Sequence, residues 1–434
     1  MIRGHKKSSI EWEETIPVDW DEVRAKFLFK NIKEIVGDKW DEYQRISLTY
    51  DGVIPRSKTD KEGLNPASLG TYQIVKENDL LFKLIDLENE KTSRVGLSSY
   101  EGITSSAYVR VDIQKQFPKY YYYWYYSMWF RYIYNKLGNG VRSTINASQL
   151  LNYSVPKPSY KEQQEIAHFL DKNVEKINEL IQIQEDAIVK FEEYKQSVIS
   201  KIVTSSINHG VKTKLSPVKW LQKIPHHWKV ICLRYSGKLY GGLKGKSGSD
   251  FNNPTNVFNQ SFIPFTNIVN NDVIQVNEFQ KVNVLPNEQQ NEVKQNDLLF
   301  LMSSENYDDL GKSAIILDEI EDLYLNSFCK GYRIKSKNIY PKYLNYAVNS
   351  TYLRQVISLG GNGYTRINLR QNHLKDTKVP LPPYNEQFEA VKYLDELTKI
   401  TNKLIQIKKD KIEKLNEYKK SLIYEAVTGK IEVM

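Results

Sequence analysis

The chain has 434 residues, too many for one continuous hydrophobic core, so two or more domains are expected. It is 40% hydrophobic and 26% charged, which excludes a disordered chain, and no run approaches the roughly 18–20 apolar residues of a membrane-crossing helix. A formal charge of +9 points toward a polyanionic partner without establishing one.

The N-terminal stretch is basic but leads into Glu11, Glu13 and Glu14 with no apolar signal-peptide segment. Cys232 and Cys329 stand at no metal-ligand spacing and read as buried thiols. A cytoplasmic, reduced protein is the expectation.

The opening of the chain recurs. Trp12, Ile16, Pro17 and Trp20 return as Trp220, Ile224, Pro225 and Trp228. In the same order, Asn78 to Phe82 returns as Asn296 to Phe300, Pro118 to Tyr120 as Pro341 to Tyr343, and Gly138 and Gly140 as Gly361 and Gly363. Glu162 and Gln163 return as Glu386 and Gln387. The offset grows from 208 at Trp12 to 224 at Glu162, so about sixteen extra residues lie in the second copy. A repeat of this length exceeds a solenoid unit and reads as duplication of a whole module.

Within residues 12–158, short apolar runs such as Arg45 to Tyr50 and Leu80 to Ile85 predict strands, punctuated by turn-rich stretches. Pro118 stands at a first helical position, ahead of a tyrosine-rich run to Leu137. Tyr120 to Tyr126 with Trp124 invites a base-stacking reading, but the matching helix carries Leu344, Ala347 and Leu353. Core packing is the role both copies can share.

Residues 159–210 change character. Leu170, Val174, Ile177, Ile181, Ile188, Phe191, Val198 and Ile202 follow a four-three spacing, broken by Gln184 and Lys195. Such a helix of about 45 residues is roughly 65 Å long and needs a partner. Residues 383–430 supply one, with Leu394, Leu397, Ile400, Leu404, Ile405, Ile412, Leu415 and Leu422. Residues 211–219 form a linker between the first helix and a second module at 220–382. If the halves are related by a pseudo-two-fold axis, the paired helices are antiparallel. The predicted fold is therefore α/β: two similar mixed modules joined by two long antiparallel coiled-coil helices.

Catalytic patterns are thin. Leu381 to Tyr384 resembles the Pro-Pro-aromatic core of amino-methyltransferases but has Leu381 where an Asp, Asn or Ser belongs. The first copy reads Lys157-Pro158-Ser159-Tyr160, and both read as strand-to-helix punctuation. Gly360 to Gly363 lacks the frame of a cofactor loop, and no Gly-x-x-x-x-Gly-Lys motif occurs. Asp186, Glu193 and Lys195 read as the solvated face of a helix. The six histidines form no metal-binding pair, and neither a catalytic residue nor a metal site is assigned.

Taken together, these marks resemble the DNA-specificity subunit of a type I restriction-modification system. They are the Ile-Pro-x-x-Trp openings at 16–20 and 224–228, the Asn-Asp-Leu-Leu-Phe strands, the Gly-x-Gly loops, and the segments 156–163 and 380–387. The last is the helix ending Ala426 to Lys430, which Ile202 to Ser206 matches poorly. The resemblance implies a non-catalytic chain with two target recognition domains, each reading one half of an asymmetric bipartite site on double-stranded DNA. It implies helices that set the spacing and dock two modification subunits for adenine-N6 methylation, with restriction subunits joining. S-adenosylmethionine, ATP and Mg are then expected on those partners and no cofactor on this chain. The alternatives are a DNA amino-methyltransferase in its own right and a coiled-coil adaptor without sequence specificity.

DNA contact requires forked donors and amides for bases, and cations and hydroxyls for phosphates. The loops after the glycine pairs offer Arg142, Ser143, Thr144 and Asn146, and Tyr364, Thr365, Arg366, Asn368, Arg370, Gln371 and Asn372. Arg142 and Arg366 lead as phosphate contacts. Lys244 and Lys246, among Gly241, Gly242, Gly245 and Gly248, read as a mobile basic loop. Arg45, Arg56, Lys58 and Lys61 form a less concentrated group.

Overall fold

A computed structural model describes residues 3–50, 52–60, 68–88, 92–138, 143–207, 210–218 and 220–433. The chain divides into two compact units, one of residues 1–185 with 409–434 and one of residues 186–408. Both mix helix and strand.

In the first unit a four-stranded antiparallel sheet has the order Lys30–Asn31, Val109–Asp112, Leu80–Phe82, Val95–Leu97. Strand alternation sends Leu80 and Phe82 to one face and Leu81 to the other. Leu80 and Phe82 pack with Tyr121, Trp124 and Tyr125 of the helix Pro118–Phe130, whereas Leu81 joins Ile46, Leu48, Val53 and Val75. Tyr120, Tyr121, Tyr123, Trp124 and Tyr125 are all buried, so the tyrosine-rich run is core and not a stacking platform.

The second unit repeats the plan with the antiparallel order Gly237–Gly241, Cys329–Ile334, Leu298–Leu301, Ser313–Ile315. Leu298 and Phe300 meet Tyr343, Leu344 and Ala347, while Leu299 and Leu301 face Ile263, Ile268 and Leu325. The repeated Asn-Asp before each central strand has a physical cause. Asn78 and Asn296 take left-handed backbone (φ 70° and 67°), which asparagine tolerates better than most residues. Asp79 then accepts from Lys76 N at 2.7 Å and Arg110 Nε at 2.6 Å. Asp297 accepts from Lys294 N at 2.9 Å and Arg333 Nη2 at 2.7 Å.

The other echoed residues anchor the first unit's sheet-and-helix body to the opening turns of the long helix Tyr160–Ser205, and the second unit's to those of Tyr384–Val427. Trp20 Nε1 donates to Glu162 at 2.9 Å, and Trp228 Nε1 to Glu386 at 3.0 Å. Gln163 Oε1 accepts from Phe117 N at 2.9 Å while its amide donates to Pro158 O at 2.9 Å. Gln387 does the same with Tyr340 N at 2.8 Å and Pro382 O at 2.9 Å. Phe117 and Tyr340 are the N-caps of helices that open on Pro118 and Pro341, and neither has a capping side chain of its own. The glutamine satisfies the backbone N–H that is left over.

The long helices bury one stripe in each unit. In the first, Ile166, Leu170 and Ile177 share a core with Leu422, Ile423, Ala426 and Val427, with Val174, Ile181 and Leu415 at its edge. In the second, Ile199, Ile202 and Val203 meet Ala390, Val391 and Leu394, flanked by Val198 and Leu397. Ile188, Phe191 and Ile412 are half-buried. Two expectations fail. Ile400 is 53% exposed and Leu404 37%, whereas Thr401 and Ile405 are buried. The spacing 394, 398, 401, 405 keeps the four-three period, and Ile400 and Leu404 stand one position off it. Gln184 does not break the stripe either; it is buried and donates to Leu180 O. No helix of the described residues is long and apolar enough to cross a membrane.

Candidate nucleic-acid interface

In the second unit the strands Gly361–Asn362 and Ile367–Leu369 form a hairpin, and Ser303–Ser304 pairs with its second strand. Gly363 lies at φ +131°, and a Cβ there would fall 2.1 Å from Arg366 O, so the turn needs glycine. Ile367 and Leu369 are buried and Asn368 between them is exposed. The hairpin therefore holds one face in the core and presents Tyr364, Thr365, Arg366 and Asn368 outward. Tyr364 is fully exposed. The Arg366 guanidinium lies over the Phe328 ring at 4.0 Å, which fixes its orientation without engaging a carboxylate. Arg370 stands at the N-cap position of the helix Gln371–Asp376 without a side-chain capping bond and turns its Nε back to Gly360 O at 3.3 Å, so its head is partly committed. Gln371 and Asn372 stand exposed on the first turn of that helix.

The segment around Lys244 and Lys246, read from the sequence as a mobile loop, is tied down by hydrogen bonds in this fold. Leu243 N donates to Leu325 O at 2.7 Å, Lys244 N to Gln290 Oε1 at 3.0 Å, and residues Gly248–Asp250 form a capped turn. Lys246 is paired with Glu288 at 2.6 Å and its side chain is nearly buried, which removes it as a free phosphate contact. Lys244 remains exposed.

Sequence reasoning missed two lysines of this unit. Lys330, on the strand Cys329–Ile334, shares the space over Gly241 with the Lys244 side chain, and Lys375, on the helix Gln371–Asp376, adds a further like charge toward Lys330. Burial first, then Lys244 and Lys375, hold the Lys330 ammonium below the usual lysine range. The alternating pattern of Cys329, Lys330 and Gly331 was the available signal, since a lysine in a central strand has few reasons to be there.

The first unit keeps fewer of its candidates. Arg45 is buried, with Nη1 near Ser57 O and Asp60 O and its guanidinium 5.9 Å from the Tyr72 ring centroid, so it organises a loop. Arg56 pairs with Asp60 at 2.6 Å, and Lys58 donates to Asp41 O beside Trp40. Ser143 is buried at φ 38° and its carbonyl accepts from Leu87 N. Asn146 is spent as an N-cap, accepting from Gln149 N at 2.9 Å while Gln149 Oε1 accepts from Asn146 N at 2.8 Å. Thr144 is half-buried beside it. Lys61, Gly140 and Arg142 lie outside the described residues.

The features that suggested catalysis resolve into packing. Leu381 ends a strand, Tyr384 starts the long helix, and the carbonyl of Pro382 between them accepts from Gln387. Gly360 makes room for His373, whose ring a Cβ would meet at 2.4 Å. Cys329 is buried and its thiol is pushed up by burial; Cys232 is half-buried, and both are free. Among the described residues no group of His, Cys, Asp and Glu has the makings of a metal site.

The chain is similar to known proteins in sequence and in fold. The chain is 26% identical over 439 aligned positions to the type I restriction enzyme MjaVIII specificity subunit of Methanocaldococcus jannaschii, covering 96% of this chain and 94% of that one. It is 26% identical to the putative type I restriction enzyme MjaX specificity subunit of the same organism, over 70% of this chain and 65% of the other. In fold it is similar to a solved chain described under complex assembly and conformational transition of the type I R-M system. There the TM-score is 0.70 at 14% identity, over 96% of this chain and 99% of that one. The type I restriction modification DNA specificity domain matches residues 17–190 and again residues 225–414, and the chain belongs to that family.

Proposed function

We propose that the chain is the sequence-reading subunit of a type I restriction-modification complex, with target recognition domains at 12–158 and 220–382. Each domain reads one half of an asymmetric, bipartite site on double-stranded DNA. The helical segments 159–210 and 383–430 pair as an antiparallel coiled coil, with 211–219 as linker, and fix the interval between half-sites. They also dock two modification subunits, which carry S-adenosylmethionine, and restriction subunits that use ATP and Mg join this assembly. The chain itself binds no cofactor and works in the cytoplasm.

The observation that carries this reading is the repetition of one set of anchors. In the second unit Lys195 donates to Asn402 at 3.3 Å, and in the first unit Lys419 donates to Asn178 at 3.0 Å. Lys195 and Asn178 on one helix are the repeat equivalents of Lys419 and Asn402 on the other. The same contact with the helices exchanged is what a pseudo-two-fold relation requires. Tyr123 and Lys119 on Asp171 are likewise matched by Tyr346 and Lys342 on Asp395. Two differently faced modules held by identical anchors suit a reader of two different half-sites.

The test is reconstitution. The purified chain alone should methylate nothing and bind no S-adenosylmethionine stoichiometrically. Mixed with its modification subunit and S-adenosylmethionine, it should direct adenine methylation to one two-part sequence. Stoichiometric cofactor binding by the isolated chain would favour the methyltransferase alternative, and methylation without sequence preference would favour the adaptor.

A further inference from the structure

Two lysines of the second unit, Lys244 and Lys330, converge without a counter-charge. Lys330 is held by strand pairing on both sides, opposite Gly241 and Phe300, so its backbone cannot relax away. The position a Gly241 Cβ would take is 3.8 Å from Lys330 Nζ and 4.0 Å from Lys244 Cε, so the glycine gives both lysines one space. Lys375 opposes Lys330 from the neighbouring helix. The acidic groups of this region are already engaged: Asp376 with Arg234 at 2.6 Å, Glu288 with Lys246 at 2.6 Å, and Asp297 with Arg333 at 2.7 Å. Among the described residues no carboxylate pairs with Lys244, Lys330 or Lys375.

Like charges gathered on a rigid frame destabilise the free protein, and an arriving anion removes that cost. Lysines are point charges that suit a phosphate oxygen without demanding one orientation. Phe328, two residues before Lys330, is the ring that holds Arg366 at the base of the Tyr364–Asn368 turn. We propose that Lys244 and Lys330 form a phosphodiester clamp of the second recognition domain, which seats the DNA backbone beside the hairpin that presents Arg366 and Asn368. The clamp deepens the DNA-reading role given above and rests on it. It takes over the phosphate role first given to Lys246, stands beside Arg366 as a backbone contact, and leaves Asn368 of the hairpin for a base edge.

The test uses the chain assembled with its modification subunits and two duplexes, one carrying the methylated site and one without it. Lys330→Gln and, as an exposed alternative, Lys244→Gln are compared with the unaltered complex over a salt titration. Removing one lysine–phosphate pair should make the slope of log affinity against log salt shallower by about 0.9. Both duplexes should be bound more weakly, the methylated sequence should not change, and the melting temperature of the free chain should hold or rise as repulsion is relieved. An unchanged slope in both variants, or a lower melting temperature with an unchanged slope, overturns the clamp. Failure of the unaltered complex to prefer any sequence would instead overturn the specificity reading, and the slope comparison still reports on the clamp.

Discussion

Gln387→Leu should loosen the second unit and leave the first intact. Gln387 is fully buried and makes three hydrogen bonds: it accepts from Tyr340 N at 2.8 Å and donates to Asn338 O at 2.8 Å and Pro382 O at 2.9 Å. Leucine keeps most of the volume, so the cavity contribution is small. Three bonds at a net worth of about 1 kcal/mol each give a loss of about 3 kcal/mol, rising toward about 5 kcal/mol if the Tyr340 N–H stays unsatisfied. Set against a typical domain stability of about 5–15 kcal/mol, this is large but survivable. Hydrogen–deuterium exchange on the whole chain resolves the two units. Amides of Tyr343 to Val348 should exchange about 150-fold faster, the equivalent of 3 kcal/mol. Those of Tyr120 to Tyr125 should be unmoved, and Gln163→Leu should reverse the pattern. Acceleration below about tenfold, or equal acceleration in both units, would refute the claim that this glutamine holds each body to its helix.

Other perturbations follow from the same geometry. Trp228→Phe removes the 3.0 Å bond to Glu386 and should cost about 1.5–3 kcal/mol in denaturant unfolding, as for a bond to a charged acceptor. Burial holds the Lys419 ammonium below its ordinary value of 10.5, so at high pH the unfolded chain binds the proton more readily than the folded one. Stability of the first unit should therefore rise as pH climbs toward 10.5, and calorimetry of Lys419→Met should lack that rise. Asn368→Ala in the assembled complex should cost about 1–3 kcal/mol of discrimination at one base pair of the second half-site. Arg366→Ala should weaken binding across sequences, and competition against single-substituted duplexes separates the two outcomes.

Much of the framework was legible because the duplication repeats what buried geometry demands. Trp20 and Trp228, Glu162 and Glu386, and Gln163 and Gln387 recur because each pair makes the same hydrogen bonds. The period of the long helices was also readable, but polarity misled at one turn: Thr401 is buried and the more apolar Ile400 is exposed. The candidate surface was harder. Arg45, Lys246 and Asn146 are the right residue types for DNA, yet each is consumed by a carbonyl, a carboxylate or a helix N-terminus. Glu288 lies 42 positions from Lys246, where no local pattern announces it, whereas Asn146 and Gln149 keep the three-residue spacing of a capping box. Lys330 and Lys375 went unnoticed for the converse reason. They lie 86 and 131 residues beyond Lys244 in the sequence, and only the fold brings Lys330 to it over Gly241.

The central claim, that two independent readers share one scaffold, is tested most directly by exchanging residues 12–158 for the corresponding domain of another family member. DNA modified by the reconstituted complex is then mapped by single-molecule sequencing. The account predicts a new sequence in one half of the target, with the other half and the interval between them unchanged. A change in both halves together, or in the interval, would contradict it.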